Sequence, residues 1–170
     1  MTGYINNSAT ISIRGAPKGT LRAYRSAIRW CLGKLLGKRL ADVTTVDVFF
    51  IKNLNVKEFV YGDCELDDDN FPPRLFKIRI DHGQEITRFQ QFKTIFHELV
   101  HLKQFSKGEL YDYQKQENIT RWKRKKIDII KTDYENLPWE KEAYKLQNEL
   151  IREWAKETNY YKFIHKRNDI

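Results

Sequence analysis

Cysteine is nearly absent from this chain. Cys31 and Cys64 are its only two, they stand far apart, and neither belongs to a Cys-x-x-Cys pair. That scarcity argues against a disulfide framework and against a thiolate zinc site, and leaves both residues as small packing side chains. No apolar run is long enough to span a membrane, and no internal repeat stands out. Met1–Ala9 is polar and lacks a basic-plus-apolar leader, so the expectation is a cytoplasmic protein. The acidic run Asp67-Asp68-Asp69-Asn70 lacks the ligand spacing of an EF-hand loop and reads as a solvated turn rather than a calcium site. Histidine is scarce as well, with four in 170 residues.

What remains is enough for one core. At 170 residues and 41% hydrophobic, the chain reads as a single domain with a basic insertion around 106–137. Thr10–Arg14 alternates as a short strand, Gly15–Gly19 turns, and Thr20–Leu36 carries apolar residues at helical spacing. Val43–Ile51, Lys57–Cys64 and Leu75–Asp81 read as strands, the last strictly alternating. Helices follow, at Arg88–Phe105 and from Asn136 or Leu137 onward. This order predicts an α+β fold.

Two of the four histidines stand together, in His97-Glu98-Leu99-Val100-His101. Histidines four apart on a helix share a face, and a Glu after the first sits beside them, which suits a zinc ion and a hydrolytic water. With twelve Glu and four His, a random chain of this length would show the pattern about once in 150. Placed on a wheel, Phe89, Phe92, Ile95, Phe96, Leu99, Val100 and Leu102 form one broad apolar arc. Gln90, Thr94, His97, His101 and Gln104 form a narrow polar arc opposite, with Glu98 at its border. Lys93 lies at the edge of that stripe, and Lys103 falls inside the apolar arc. A nearly uncharged polar stripe is unusual for a solvated face, so the helix reads as one wall of a site.

A catalytic zinc commonly takes three protein ligands and leaves a fourth position for water. His82, in a His-Gly turn, and His165, in the basic tail, read as ordinary surface residues. The second helix offers Glu140 and Glu142, which helical geometry separates by roughly 200°. Glu140 shares its side with Ala143, Tyr144, Gln147, Leu150, Ile151 and Trp154, whereas Glu142 lies with Lys145, Glu149, Arg152, Glu153 and Lys156. A carboxylate on the apolar side needs a partner: a metal, a Lys or Arg, or the helix N-terminus. The expected ligand set is therefore His97, His101 and Glu140, with Glu142 the alternative.

These residues resemble the zincin metallopeptidases of the Glu-ligand, gluzincin branch, through His97–His101 and Glu140-Lys141-Glu142-Ala143-Tyr144. In that branch the third ligand commonly stands three residues before a small one, as Glu140 stands before Ala143. The stretch from Pro138 to Tyr144 is also similar to small phage and bacterial metallopeptidases of this general type. The resemblance covers about a quarter of the chain, and it departs at Tyr144, where the family has an acid. No histidine-orienting carboxylate is thereby assigned. The resemblance implies a minimal zincin layout: a twisted sheet above the metal helix, with an edge strand that pairs with a bound peptide. It also implies a zinc-dependent peptidase in which Glu98 acts as general base and a tyrosine assists the oxyanion. Tyr111, Tyr113 and Tyr134 are the candidates.

Between the site helices lies Arg121-Trp122-Lys123-Arg124-Lys125-Lys126, in a chain of net charge +8. Arg121, Lys123, Arg124, Lys125 and Lys126 could contact phosphates while Trp122 stacks on a base. The plainer expectation is a solvated face with Trp122 turned into the core. The cluster keeps two alternatives in view: a nucleic-acid-associated protease similar in principle to the Spartan type, and a zinc-containing nucleic-acid-binding module without catalysis. Hydrolysis of a non-peptide bond is a third.

Overall fold

The computed structural model describes residues 9–112 and 118–160. Its fold is α+β. In chain order the elements are β1 (Thr10–Arg14), α1 (Leu21–Leu36), α2 (Lys38–Ala41), β2 (Thr45–Ile51), α3 (Leu54–Glu58), β3 (Gly62–Leu66) and β4 (Leu75–Asp81). Then come α4 (Arg88–Ser106), β5 (Leu110–Asp112), β6 (Ile119–Trp122), β7 (Lys125–Asp128) and, after a 3-10 turn at Tyr134–Asn136, α5 (Pro138–Thr158).

Four strands form the main sheet in the order β1-β2-β4-β3. The first three are parallel, and β3 runs antiparallel to β4 at the edge. Alternation decides which face is buried. Val46, Val48 and Phe50 of β2, with Phe76, Ile78 and Ile80 of β4, turn toward α1 and α4, which contribute Tyr24, Ile28, Phe92, Phe96 and Leu99 to the same core. Helix α5 packs along α4 through Ala143, Leu150, Ile151 and Trp154.

One strand begins later in the chain than its sequence suggests. Residues expected within a strand at Lys57–Cys64 instead close α3 and cross to β3, which begins only at Gly62. Val56, Phe59 and Tyr61 favour strands, but they are exposed and bury no sheet face. Buried Leu54 anchors the short helix, and Asp81 accepts the Asn55 N–H at 2.8 Å. Gly62 then lets β3 approach α4: a Cβ there would stand 2.9 Å from the Arg79 carbonyl oxygen and press on Thr94. Arg79 ties the edge down through Asp63, Glu65 and Glu58.

The stretch between α4 and α5, to which no strand is assigned from the sequence, carries strands of its own among the described residues. It holds a second antiparallel sheet, β5-β6-β7, closed by Lys123 and Arg124 at positive φ. Its strands are only three or four residues long, and β7 opens on two lysines, so no run of hydrophobic alternation announces them. Trp122 does turn inward, onto Leu110, Leu137 and Trp139. The acidic turn behaves as a turn: Asp68 accepts backbone N–H groups of Asn70, Arg74 and Leu75. Cys31 and Cys64 are both free thiols, one in the core and one half-buried. Among the described residues, no helix is long and apolar enough to cross a membrane.

Candidate metal centre

Helix α4 starts where its sequence says it should. Thr87 accepts the Gln90 N–H while the Gln90 side chain accepts the Thr87 N–H, a reciprocal cap that fixes the register of the turns that follow. Phe92, Ile95, Phe96, Leu99, Val100 and Leu102 are fully buried, as the wheel requires, and only Phe89 in the first turn is exposed. His97, Glu98 and His101 therefore sit on the opposite flank, yet they too are buried, because α5 covers them. Helix α5 opens with Leu137 as N-cap and Pro138 in its first turn, where no N–H is missed. Glu140 thus arrives on that first turn, facing both imidazoles.

The convergence is tight. His97 Nε2 and His101 Nε2 lie 3.0 Å apart. Glu140 Oε2 is 3.2 Å from the first, and Oε1 is 3.3 Å from the second. A tetrahedral ion with ligands at about 2.0–2.1 Å holds them about 3.3 Å from one another, so these separations match the edges of such a site. Among the described residues, His97, His101 and Glu140 are the group whose ligand atoms can share one metal ion.

Two further observations support that fit. Glu140 Oε2 is buried with no hydrogen-bond partner assigned among the described residues, and His97 Nε2 stands 3.2 Å from it. An orphaned carboxylate oxygen is costly in a protein interior unless a cation faces it. Second, both imidazoles are turned by amide oxygens behind them. His97 Nδ1 lies 3.1 Å from Gln147 Oε1, and His101 Nδ1 lies 2.9 Å from Gln104 Oε1. The orientation of Gln104 is fixed independently, since its Nε2 donates to the Trp139 carbonyl oxygen and to Glu142, each at 3.0 Å. An amide oxygen only accepts, so Nδ1 of His101 carries a proton and its Nε2 is left facing the centre, with Gln147 in the same place behind His97. The orienting residues, for which no carboxylate was found in the sequence, are these two glutamines. Gln104 lay in the polar arc and Gln147 on the Glu140 face, so the signal was present but unassigned.

Electrostatics agree with the geometry. Burial lifts the Glu98 carboxyl to about 7, against a smaller opposing pull from His101 and His97. Burial also opposes the Glu140 charge, but the pull of His101 and His97 outweighs it and holds that carboxyl at about 2. Glu140 is thus held ionised, and Glu98 is a buried carboxyl that can take up or release a proton near neutrality.

Glu142 does not join the group of His97, His101 and Glu140. It accepts from Lys103 and Lys123 at 3.0 Å as well as from Gln104. Expected on a charged solvent face, it is instead half-buried, and it explains why Lys103 falls inside the apolar arc: Lys103 is buried between Glu109 and Glu142. Tyr134 reaches the centre, where burial and the nearby Glu140 carboxylate raise its hydroxyl's pKa. Tyr144 packs its ring 4.7 Å from that of His97. Tyr111 lies elsewhere, 4.9 Å under the Arg121 guanidinium, and His82 caps the end of β4 against Phe50. Tyr113 and His165 fall outside the described residues. In the basic cluster, Arg121 is held over Phe71 and Tyr111, Lys123 is paired with Glu142, and Arg124, Lys125 and Lys126 are exposed on the hairpin.

A groove passes over the centre. One hollow, of about 480 Å³, is lined by Phe59, Tyr61, Thr94, His97 and Tyr144; another, of about 500 Å³, by Cys64, His101, Leu110, Trp139 and Glu140. Val60, Gly62, Glu98 and Tyr134 line both. The start of edge strand β3 therefore borders the groove on both sides of Glu98. Comparison with protein-family models, curated proteins and solved structures finds no match to this chain.

Proposed function

We propose that the chain is a zinc-dependent peptidase of zincin type. The observation that carries this reading is the placement of Glu98, a buried carboxylate with a near-neutral pKa, beside three converged ligand atoms in a groove bordered by a sheet edge. His97, His101 and Glu140 would hold the ion, and two imidazoles with one carboxylate form a donor set that zinc favours in hydrolytic sites. Zinc bound there would act as a Lewis acid and bring the pKa of its water to about 7.

The protein's own groups do the rest. Glu98 takes a proton from the attacking water and delivers it to the departing amine. Tyr134, whose hydroxyl stays protonated at neutral pH, donates toward the oxygen that becomes negative. Gln104 and Gln147 hold both imidazoles in one tautomer and orientation. The outer edge of β3 is free among the described strands, and it offers main-chain groups to an extended peptide laid along the groove.

The test is turnover of a mixed peptide library, read by mass spectrometry. Cleavage is expected with zinc present, is lost after treatment with a chelator, and returns when zinc is restored. Cleavage that persists in chelated, metal-free protein contradicts the proposal.

A further inference from the structure

The net charge of +8 is not spread through the chain. Residues 1–41 contain eight Lys and Arg and no Asp or Glu, and the rest of the chain carries 23 of each sign. The excess is therefore centred on α1 and its flanks, not on the hairpin that carries Arg121–Lys126. On α1, Arg22, Arg25 and Arg29 fall within about 60° of one another around the axis and span about 10 Å along it. All three are exposed, and among the described residues none has an ion pair or hydrogen-bond partner. Lys18 just before the helix and Lys38 and Arg39 just after it are exposed as well. By contrast, Lys34 on another side of α1 is paired with Glu153.

We propose that this arginine face of α1 is a docking surface for the phosphate backbone of a nucleic acid. The helix itself carries no acid to neutralise the stripe. Guanidinium groups suit phosphates because they can donate two parallel hydrogen bonds to one group. Their axial span matches about three phosphates of one strand, at about 3.4 Å of duplex axis each. An anionic membrane is disfavoured because a surface-lying helix needs an apolar face to insert. The apolar face of α1 is spent on the core: Ala23, Tyr24, Ala27, Ile28, Cys31 and Leu32 are all buried. No residue of α1 lines either hollow of the groove, so docking leaves the metal centre accessible. The inference does not depend on the chain being a peptidase.

The experiment is fluorescence anisotropy of the full chain with a labelled duplex of about 20 base pairs and with its single strand, at about 50 and about 150 mM salt. Three duplex phosphate contacts predict that tripling the salt weakens binding about 20-fold. The R22Q/R25Q/R29Q variant should lose that component, its log–log salt slope becoming shallower by about 2.7 on the duplex or about 2 on the single strand. Its melting curve should match wild type, because the three side chains hold nothing in place. R124Q/K125Q, on the hairpin, should bind within about twofold of wild type. The proposal is overturned if wild type shows no binding at the lower salt, if the loss follows the hairpin variant instead, or if the chain binds anionic lipid vesicles and neither nucleic acid.

Discussion

Glu98→Gln is expected to reduce peptide hydrolysis at least 10²–10⁴-fold while leaving one metal ion per chain, the scale of a lost general base. The substitution keeps size and shape and removes only the ability to accept a proton. It should fold normally, because burial already lifts the Glu98 carboxyl to about 7 and the site tolerates an uncharged group there. Glu98 is not among the three ligand-bearing side chains, so metal content should not fall. The measurement is kcat/KM on a cleaved peptide alongside the metal-to-protein ratio of both proteins. Undiminished cleavage by the variant means that the base lies elsewhere. Loss of metal together with activity means that Glu98 is a ligand, which the geometry denies.

The second large effect separates Glu140 from Glu142. Glu140→Ala removes the one carboxylate that faces both Nε2 atoms, and metal affinity should fall by more than about 100-fold, beyond the 10–100-fold typical of an outer-shell change. Glu142→Ala should keep the metal and lower stability instead. It leaves Lys103 buried with Glu109 alone, and it frees Lys123 from the helix. Removing one of a buried lysine's two carboxylate partners costs about 1–3 kcal/mol, visible as a lower melting temperature. Competition with a zinc chelator and a thermal melt on both variants decide the matter. Metal loss in Glu142→Ala with retention in Glu140→Ala would reverse the assignment.

Most of this site could be read before any coordinates. The period of α4 separates Phe92, Phe96 and Leu99 from His97 and His101, and two apolar turns on α5 pick out the Glu140 side. Strands β1 and β4 follow from strict alternation. The failures share a cause, which is that contacts distant in sequence outweighed local preference. Val56, Phe59 and Tyr61 favour strands, but the Asp81 cap and the buried Leu54 close a helical turn there. The sheet of the insertion hides because its strands are short and Lys125 and Lys126 occupy strand positions, while Leu110 and Trp122 mark its inner face. Lys103 looked misplaced because its partners, Glu109 and Glu142, are six and thirty-nine residues away. The glutamines behind the imidazoles carry no charge, so composition and patterning say nothing of their role.

Crystals grown with zinc and examined by anomalous diffraction at the zinc absorption edge bear most directly on the central assignment. A single strong peak per chain is expected, about 2.0–2.2 Å from His97 Nε2, His101 Nε2 and a carboxylate oxygen of Glu140. A peak bound by other side chains, or none between these three in protein that carries stoichiometric zinc, would contradict it.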